Sequence, residues 1–338
     1  MATYKEIKGT NIEVLTTDPT YAIGGQVWYN TTDNALKGAT GSPIESWSTV
    51  NSINQERYGF ASAGTSTAAL GAGGNPPSGP GTGYATLTES WNGTNWTEVN
   101  DLNQAKQYMG STGIQTTALA FGGSTPSSPT MTDNTEVWNG TNWTEVNNMT
   151  TKTTLCVGAG TSTAAVGFAG YTHPPLALTA STELWNGTNW TEVNDLNQAK
   201  YKPGAGGTST AAVCGGGFVP GSPNNSTANT ELWNGTNWTE VNDLNLGRYM
   251  LGYSGTSSTA TMMFGGGGPY TAATEKWNGT NWTEVNDLNT PRGNLGCSNS
   301  GGPTAALAFG GYTPATPTGR TGVCEQWAGI TVKTFTDS

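Results

Sequence analysis

The sequence predicts an all-β fold, a six-bladed β-propeller whose ring is closed by an early strand, and three observations predict it. The string Trp-Asn-Gly-Thr-Asn-Trp-Thr-Glu-Val-Asn occurs five times, from Trp91, Trp138, Trp185, Trp233 and Trp277, at steps of 47, 47, 48 and 44 residues. Self-similarity at such a period marks a stacked or circular repeat. Each period divides into four short strand candidates, the content of one propeller blade. The marks of the second, third and fourth strands each occur six times.

The first strand follows a basic residue, as in 108–113, and the second ends in a diglycine, as in 116–123. The diglycine or its equivalent falls at Gly73-Gly74, Gly122-Gly123, Ala169-Gly170, Gly215-Gly216, Gly265-Gly266 and Gly310-Gly311. The third strand reads Glu-x-Trp and ends at Trp91, Trp138, Trp185, Trp233, Trp277 and Trp327. Asn-Gly follows it in five copies and predicts a tight hairpin, because both central residues of such a turn tolerate positive φ. The fourth strand opens on Trp47, Trp96, Trp143, Trp190, Trp238 and Trp282.

Trp47 decides the closure. Residues 47–54 align with 96–103, so the repeats begin with a fourth strand and end with a third. Residues 46–52 are therefore expected to complete the sheet of 293–327 and remove the free edges. Residues 330–335 compete for the same slot.

Composition fits the architecture. The hydrophobic fraction is only 34%, with 49 Gly, and without order such a chain leans toward disorder; the 13 Trp argue against that. Inner strands crowd a propeller axis and here are rich in Gly, Ala, Ser and Thr, as in 158–166, while the outer strands carry the tryptophans. The formal charge of −10 disfavours nucleic acid as a partner. No stretch is apolar for long enough to predict membrane insertion, and 1–9 do not read as a secretory signal. Cys156, Cys214, Cys297 and Cys324 lie at unrelated repeat positions and are expected to be buried thiols.

The diglycine, the Glu-x-Trp, the second Trp and the closing Arg or Lys together resemble the kelch repeat over roughly 44–330. That resemblance implies a fold and leaves function open. The Gly-x-x-Trp turn is also similar to the Asp-box of sialidases, but the Asp is absent, which removes the main reason to expect glycoside cleavage.

Candidate sites follow from the repeat. Arg57, Lys106, Lys152, Lys200, Arg248 and Arg292 open the repeats, and in the kelch topology they ring the axis on the face shared by the fourth-to-first and second-to-third loops. They read either as an anion-binding mouth or as structural partners of carboxylates; free interchange of Lys and Arg favours structure. Glu89, Glu136, Glu183, Glu231, Glu275 and Glu325 in the third strand, and Glu98, Glu145, Glu192, Glu240 and Glu284 in the fourth, recur in near-identical surroundings. Acid–base catalysis requires carboxylates in dissimilar ones, so these read as ladder and inter-blade partners. Asn100-Asp101-Leu102-Asn103 and its copies are too sparse for an EF-hand calcium loop. His173 stands alone beside prolines. No catalytic constellation, metal cluster or cofactor motif is expected, and Asn-Gly-Thr and Asn-Trp-Thr read as turn and strand residues.

The second-to-third loops (75–85, 124–134, 171–181, 219–229, 268–272 and 312–322) differ in length and sequence and carry Tyr84, Tyr171, Tyr270 and Tyr312. Dissimilar loops on a uniform scaffold are how recognition surfaces are commonly arranged, so these tyrosines mark the candidate binding face.

Two domains are expected: an arm at 1–43 and the propeller at 44–338. In the arm, 25–37 reads as a hairpin with a polar turn. This arm resembles a short module of virion structural proteins in tailed bacteriophages, and the near-identical repeats resemble proteins of marine phages. The resemblance implies a non-enzymatic virion protein, a tail appendage or capsid decoration, made in the host cytoplasm. The arm would dock to other virion proteins, the chain would assemble as an oligomer on the particle, and the loops would face a host-surface glycan or protein. The alternative is a stand-alone lectin-like or carbohydrate-active propeller.

Overall fold

The computed structural model describes residues 12–18, 26–40, 45–77, 83–126, 130–172, 177–328 and 331–334. The chain divides into two compact units, 47–327 and a smaller one of 1–46 with 328–338. Eight sheets lie among the described residues.

Six of them are the four-stranded units of the repeats. Blade 1 comprises Ala61–Gly64, Ala69–Ala72, Thr88–Trp91 and Trp96–Val99. Blade 2 comprises Gly110–Ile114, Thr117–Phe121, Thr135–Trp138 and Trp143–Val146. Blade 3 comprises Val157–Gly160, Ala165–Phe168, Thr182–Trp185 and Trp190–Val193. Blade 4 comprises Gly204–Thr208, Ala211–Gly215, Thr230–Trp233 and Trp238–Val241. Blade 5 comprises Gly252–Ser257, Ala260–Phe264, Thr274–Trp277 and Trp282–Val285. The last sheet joins Gly296–Cys297, Ala305–Phe309 and Cys324–Ala328 to the early strand Ser46–Val50. The first strands touch in order around the axis, and that of the last sheet returns to blade 1, so unit 47–327 is a closed β-propeller.

Two circuits of backbone hydrogen bonds bind the inner rim. One residue before each first strand has positive φ: Gly59, Tyr108, Leu155, Lys202, Met250 and Asn294. The N–H of each donates to the carbonyl of the one before it, and Gly59 donates to Asn294, at 2.5 to 3.0 Å. The diglycines make the second circuit. Gly74, Gly123, Gly170, Gly217, Gly266 and Gly311 each donate to a carbonyl of the next blade: Lys106, Thr153, Lys200, Arg248, Arg292 and Arg57. The preceding glycine also has positive φ, and a Cβ at Gly122 would lie 2.4 Å from the Thr153 carbonyl. The diglycine is thus where two blades' backbones meet. In blade 3 the first of the pair is Ala169, held at φ 60°, and in blade 4 the expected pair Gly215-Gly216 is corrected to Gly216-Gly217, because Gly215 still belongs to the second strand.

The outer rim is tied by tryptophan. Trp143, Trp190, Trp238 and Trp282 donate their indole N–H to Thr88, Thr135, Thr182 and Thr230 of the preceding blade, and Trp47 donates to Thr274 at 3.1 Å. Trp96 faces the position where Cys324 replaces threonine. The third-strand tryptophans Trp91, Trp138, Trp185, Trp233 and Trp277 donate to hairpin carbonyls, as Trp91 does to Ser66.

The Asn-Gly hairpin expectation is corrected. Trp91 pairs with Trp96, so the loop has four residues, and only the glycine takes positive φ. The Asn92 side chain instead accepts from the N–H groups of Thr94 and Asn95.

The smaller unit contains Glu13–Leu15, Val27–Asn30, Ala35–Thr40 and Thr331–Thr334 in one sheet. The hairpin expected at 25–37 forms between Val27–Asn30 and Ala35–Thr40, its second strand running three residues further. The boundary 44–338 is corrected: Thr331–Thr334 pairs antiparallel with Ala35–Thr40, not with the propeller. The propeller's last slot is already filled by Ser46–Val50, whereas Ala35–Thr40 has an edge to cover. Asp18 organises this unit, accepting from Trp28, Asn30 and Lys37, which hold its carboxyl at about 2.

Trp47 is buried against Phe264 and Trp327, with ring centroids 4.8 and 5.5 Å away. Trp47→Ala is expected to cost about 3–5 kcal/mol in urea unfolding, the range for a buried large aromatic. A loss below about 1 kcal/mol would show that this strand does not hold the ring closed.

Candidate functional site

The recurrent charges form scaffold. Glu89, Glu136, Glu183, Glu231, Glu275 and Glu325 are buried. One oxygen of each accepts the backbone N–H of Asn54, Asn103, Thr150, Asn197, Asn245 or Asn289, at 2.6 to 2.8 Å, in the segment arriving from the preceding blade. In all but Glu183 the other oxygen faces a cation. Arg57 pairs with Glu89, Lys106 with Glu136 at 3.0 Å, Lys200 with Glu231 at 3.1 Å, Arg248 with Glu275, and Arg292 with Glu325 at 2.9 Å. These five cations are at most 1% exposed and cannot line a mouth for an external anion.

Lys152 departs from the set and corrects the expected ring: it is exposed. Both backbone circuits place Thr153, not Lys152, at the cation position of blade 3. Glu98, Glu145, Glu192, Glu240 and Glu284 are exposed as well, so they form a solvated face and not inter-blade contacts. Asp101, Asp195, Asp243 and Asp287 each accept the N–H that starts a third strand, which accounts for the Asn-Asp-Leu-Asn pattern without a metal. No group of three or more His, Cys, Asp or Glu able to hold a metal lies among the described residues, and His173 falls outside them. The four cysteines are free and buried, and burial pushes Cys156 up to about 11.

The loop face carries an aromatic collar. Just beyond the first and second strands, short bridges extend the blades: Tyr58 with Asn75, Gln107 with Ser124, Thr154 with Tyr171, Tyr201 with Phe218, Tyr249 with Gly267, and Gly293 with Tyr312. Tyr171, Tyr270 and Tyr312 belong to it, half-buried against other rings. Tyr270 lies 5.1 Å from Tyr312, Tyr312 lies 5.6 Å from Tyr58, and Tyr58 lies 6.1 Å from Tyr108. Across the mouth, Tyr201 stacks on Phe218 at 4.5 Å and meets Tyr171 and Tyr249 at 6.1 Å. Tyr84 is also half-buried, near enough to Tyr108 to affect its ionisation. The expected candidates thus form part of a cluster, and they are less exposed than a loop location suggests.

Below the collar the axis is filled. The axial positions of the first strands are Ser62, Ser111, Gly158, Ala205, Tyr253 and Cys297, so one large residue fits among five small ones. Tyr253 crosses from blade 5 and donates to the Gly158 carbonyl of blade 3 at 3.3 Å. Lys202 projects at the rim of this plug, half-buried, with its ammonium 5.7 Å from the Tyr108 ring centroid. Burial lowers it to about 8, and no carboxylate pairs with it among the described residues. Arg320 binds the carbonyl and side chain of Asn75 and lies 5.3 Å from the Tyr58 ring, clamping the last sheet's loop to blade 1.

Sequence reasoning missed Tyr58, Tyr108, Tyr201, Phe218, Tyr249, Lys202 and Arg320. A signal existed for three of them: tyrosine directly follows the cation at Arg57, Lys200 and Arg248. Lys202 and Tyr108 share one backbone position that carries six different residue types, which repeat logic treats as unimportant. The arrangement offers aromatic faces, side-chain amides and one amine, and is suited to stacking on a flat or ring-shaped ligand.

No protein-family model matches the chain, and no curated protein matches it. Among solved structures, one titled "Structure of YjhT" aligns with a TM-score of 0.65 at 11% identity, covering 84% of this chain and 99% of that one. At that identity the likeness shows the β-propeller fold alone.

Lys202 yields a prediction with a defined sign. Its folded pKa lies below the unfolded value, so between about pH 8 and 10.5 the unfolded chain binds more protons and this residue's penalty fades as pH rises. Lys202→Met is expected to be more stable than the native chain near pH 7, with the difference shrinking from pH 8 upward in urea titrations. A difference that stays constant across pH would place the ammonium in water.

Proposed function

We propose that this chain is a non-enzymatic recognition protein of a bacteriophage particle, a kelch-like propeller whose aromatic mouth engages a ligand on the host surface. The observation that carries this reading is the collar itself. Blades with near-identical outer strands present loops that differ from one another, and those loops bring Tyr171, Tyr270 and Tyr312 together with Tyr58, Tyr201 and Tyr249 around one axis. Tyrosine faces stack on sugar rings and on aromatic or planar side chains, so a glycan fits the collar well. The interior is spent on Glu–cation clamps, which leaves chemistry to a mouth that, among the described residues, offers amides and an amine and no pair of carboxylates in contrasting settings. The small unit is assigned the attachment role; 1–11, 19–25 and 41–43 of the arm lie outside the described residues.

The native chain on an array of host-surface glycans, and on host cells, tests this. Tyr171→Ala and Tyr312→Ala are each expected to weaken binding about 3- to 10-fold, the equivalent of about 0.5–1.5 kcal/mol for a ring contact. Removing 1–43 should abolish incorporation into particles. Incorporation that persists without the arm would refute docking, and turnover of a host polysaccharide would favour the carbohydrate-active alternative.

A further inference from the structure

Blade 3 breaks the charge rule that the other five blades follow. Its Glu183 is 2% exposed and accepts from the N–H groups of Thr150 at 2.8 Å and Thr151 at 3.1 Å, as its counterparts accept from their own linkers. The cation is missing. Thr153 stands where the others have lysine or arginine, its hydroxyl donates to the Thr151 carbonyl at 3.3 Å, and Lys152 is exposed. Burial accordingly pushes the Glu183 carboxyl up. A buried carboxylate without a countercharge is costly, and every sibling site avoids that cost.

The lining of the sibling sites shows what the position is built to hold. Arg57 and Arg248 donate to the carbonyls of Gln55 and Leu246, two residues before them, and to those of Gly71 and Met263, which pair across the sheet with the clamping glutamate. The same places in blade 3 are Thr151 and Gly167, the latter paired with Glu183. Two residues before the glutamate, the arginine blades carry apolar Leu87, Ala273 and Val323. The lysine blades carry Asn134 and Asn229, whose side-chain oxygens accept from the ammonium. Blade 3 has Ser181 there, and its hydroxyl oxygen is buried with no hydrogen-bond partner among the described residues. Blade 3 has therefore kept the oxygen lining of a lysine site and lost the lysine.

We propose that blade 3 binds a monovalent cation of ammonium size, potassium or ammonium itself, between the Glu183 carboxylate and the Ser181 hydroxyl. The size follows from the lysine blades, where nitrogen lies 3.0 and 3.1 Å from the carboxylate oxygen and 2.8 Å from the Asn229 oxygen. Oxygen-only donors suit a hard cation, and a single carboxylate balances a single charge. Bound there, the ion completes the sixth clamp.

Thermal unfolding at constant ionic strength in potassium, ammonium or tetramethylammonium chloride tests this, since the last is too large for the position. Potassium and ammonium are expected to raise Tm by about 1–3 °C over tetramethylammonium. That difference should vanish in Glu183→Gln, and in Thr153→Lys combined with Ser181→Asn, which copies the lysine blades. Crystals of the native chain soaked in thallium(I), a potassium mimic with strong anomalous scattering, should show a peak beside Glu183. The peak decides the matter if either variant fails to fold. Equal Tm in all three salts, a salt difference that survives in a folded variant, or no thallium peak would each overturn the site.

Discussion

The propeller depends on backbone hydrogen bonds that run from blade to blade and return to their start. Around the axis, six N–H groups before the first strands donate in one direction until Gly59 meets Asn294, and the diglycines repeat the pattern until Gly311 meets Arg57. A sheet edge leaves a row of unpaired groups, and a ring has no edge to leave. Ser46–Val50 also completes the last sheet, so residues far apart in sequence share one cooperative structure. Six non-glycine-restricted positions of positive φ follow from the same demand, because each N–H must turn toward its neighbour while its strand runs along the axis.

The buried clamps set the spacing around this rim. In five blades the third-strand glutamate holds the incoming linker with one oxygen and a cation with the other. Such pairs are not a cheap source of stability, because desolvation offsets most of the attraction. Their value lies in geometry: an apolar residue at the same place would fill space without fixing the linker's N–H groups. Paired residues change together, Lys with Asn and Arg with an apolar neighbour, since a guanidinium reaches backbone carbonyls that an ammonium does not. Blade 3 alone departs, and its departure is local.

A scaffold held this way tolerates variation at its mouth. The loops carry no part of either circuit beyond their first residues, so their length and content are free to differ. What they deliver is a collar of half-buried rings above a Tyr253 plug, with Lys202 between. The rings support one another edge to face, which lets tyrosines on separate blades hold a common surface.

Much of this architecture was legible in the residues. The spacing of the tryptophans, the diglycines and the Glu-x-Trp marked the strands, and the alignment of Trp47 with Trp96 marked the closure, because period and strand chemistry are properties of the chain alone. The sequence by itself also determined that interiors near the axis are small and outer faces aromatic. Only the tertiary structure decided that Thr153 and not Lys152 fills the cation position, that Thr331–Thr334 joins the smaller unit, and that Asn92 caps a four-residue loop. It also decided the mouth, where Tyr108 and Lys202 occupy one repeat position on different blades. Repetition reveals what every blade must do to close the ring; a surface made of differences between blades has no period, and it exists only once the ring brings those differences together.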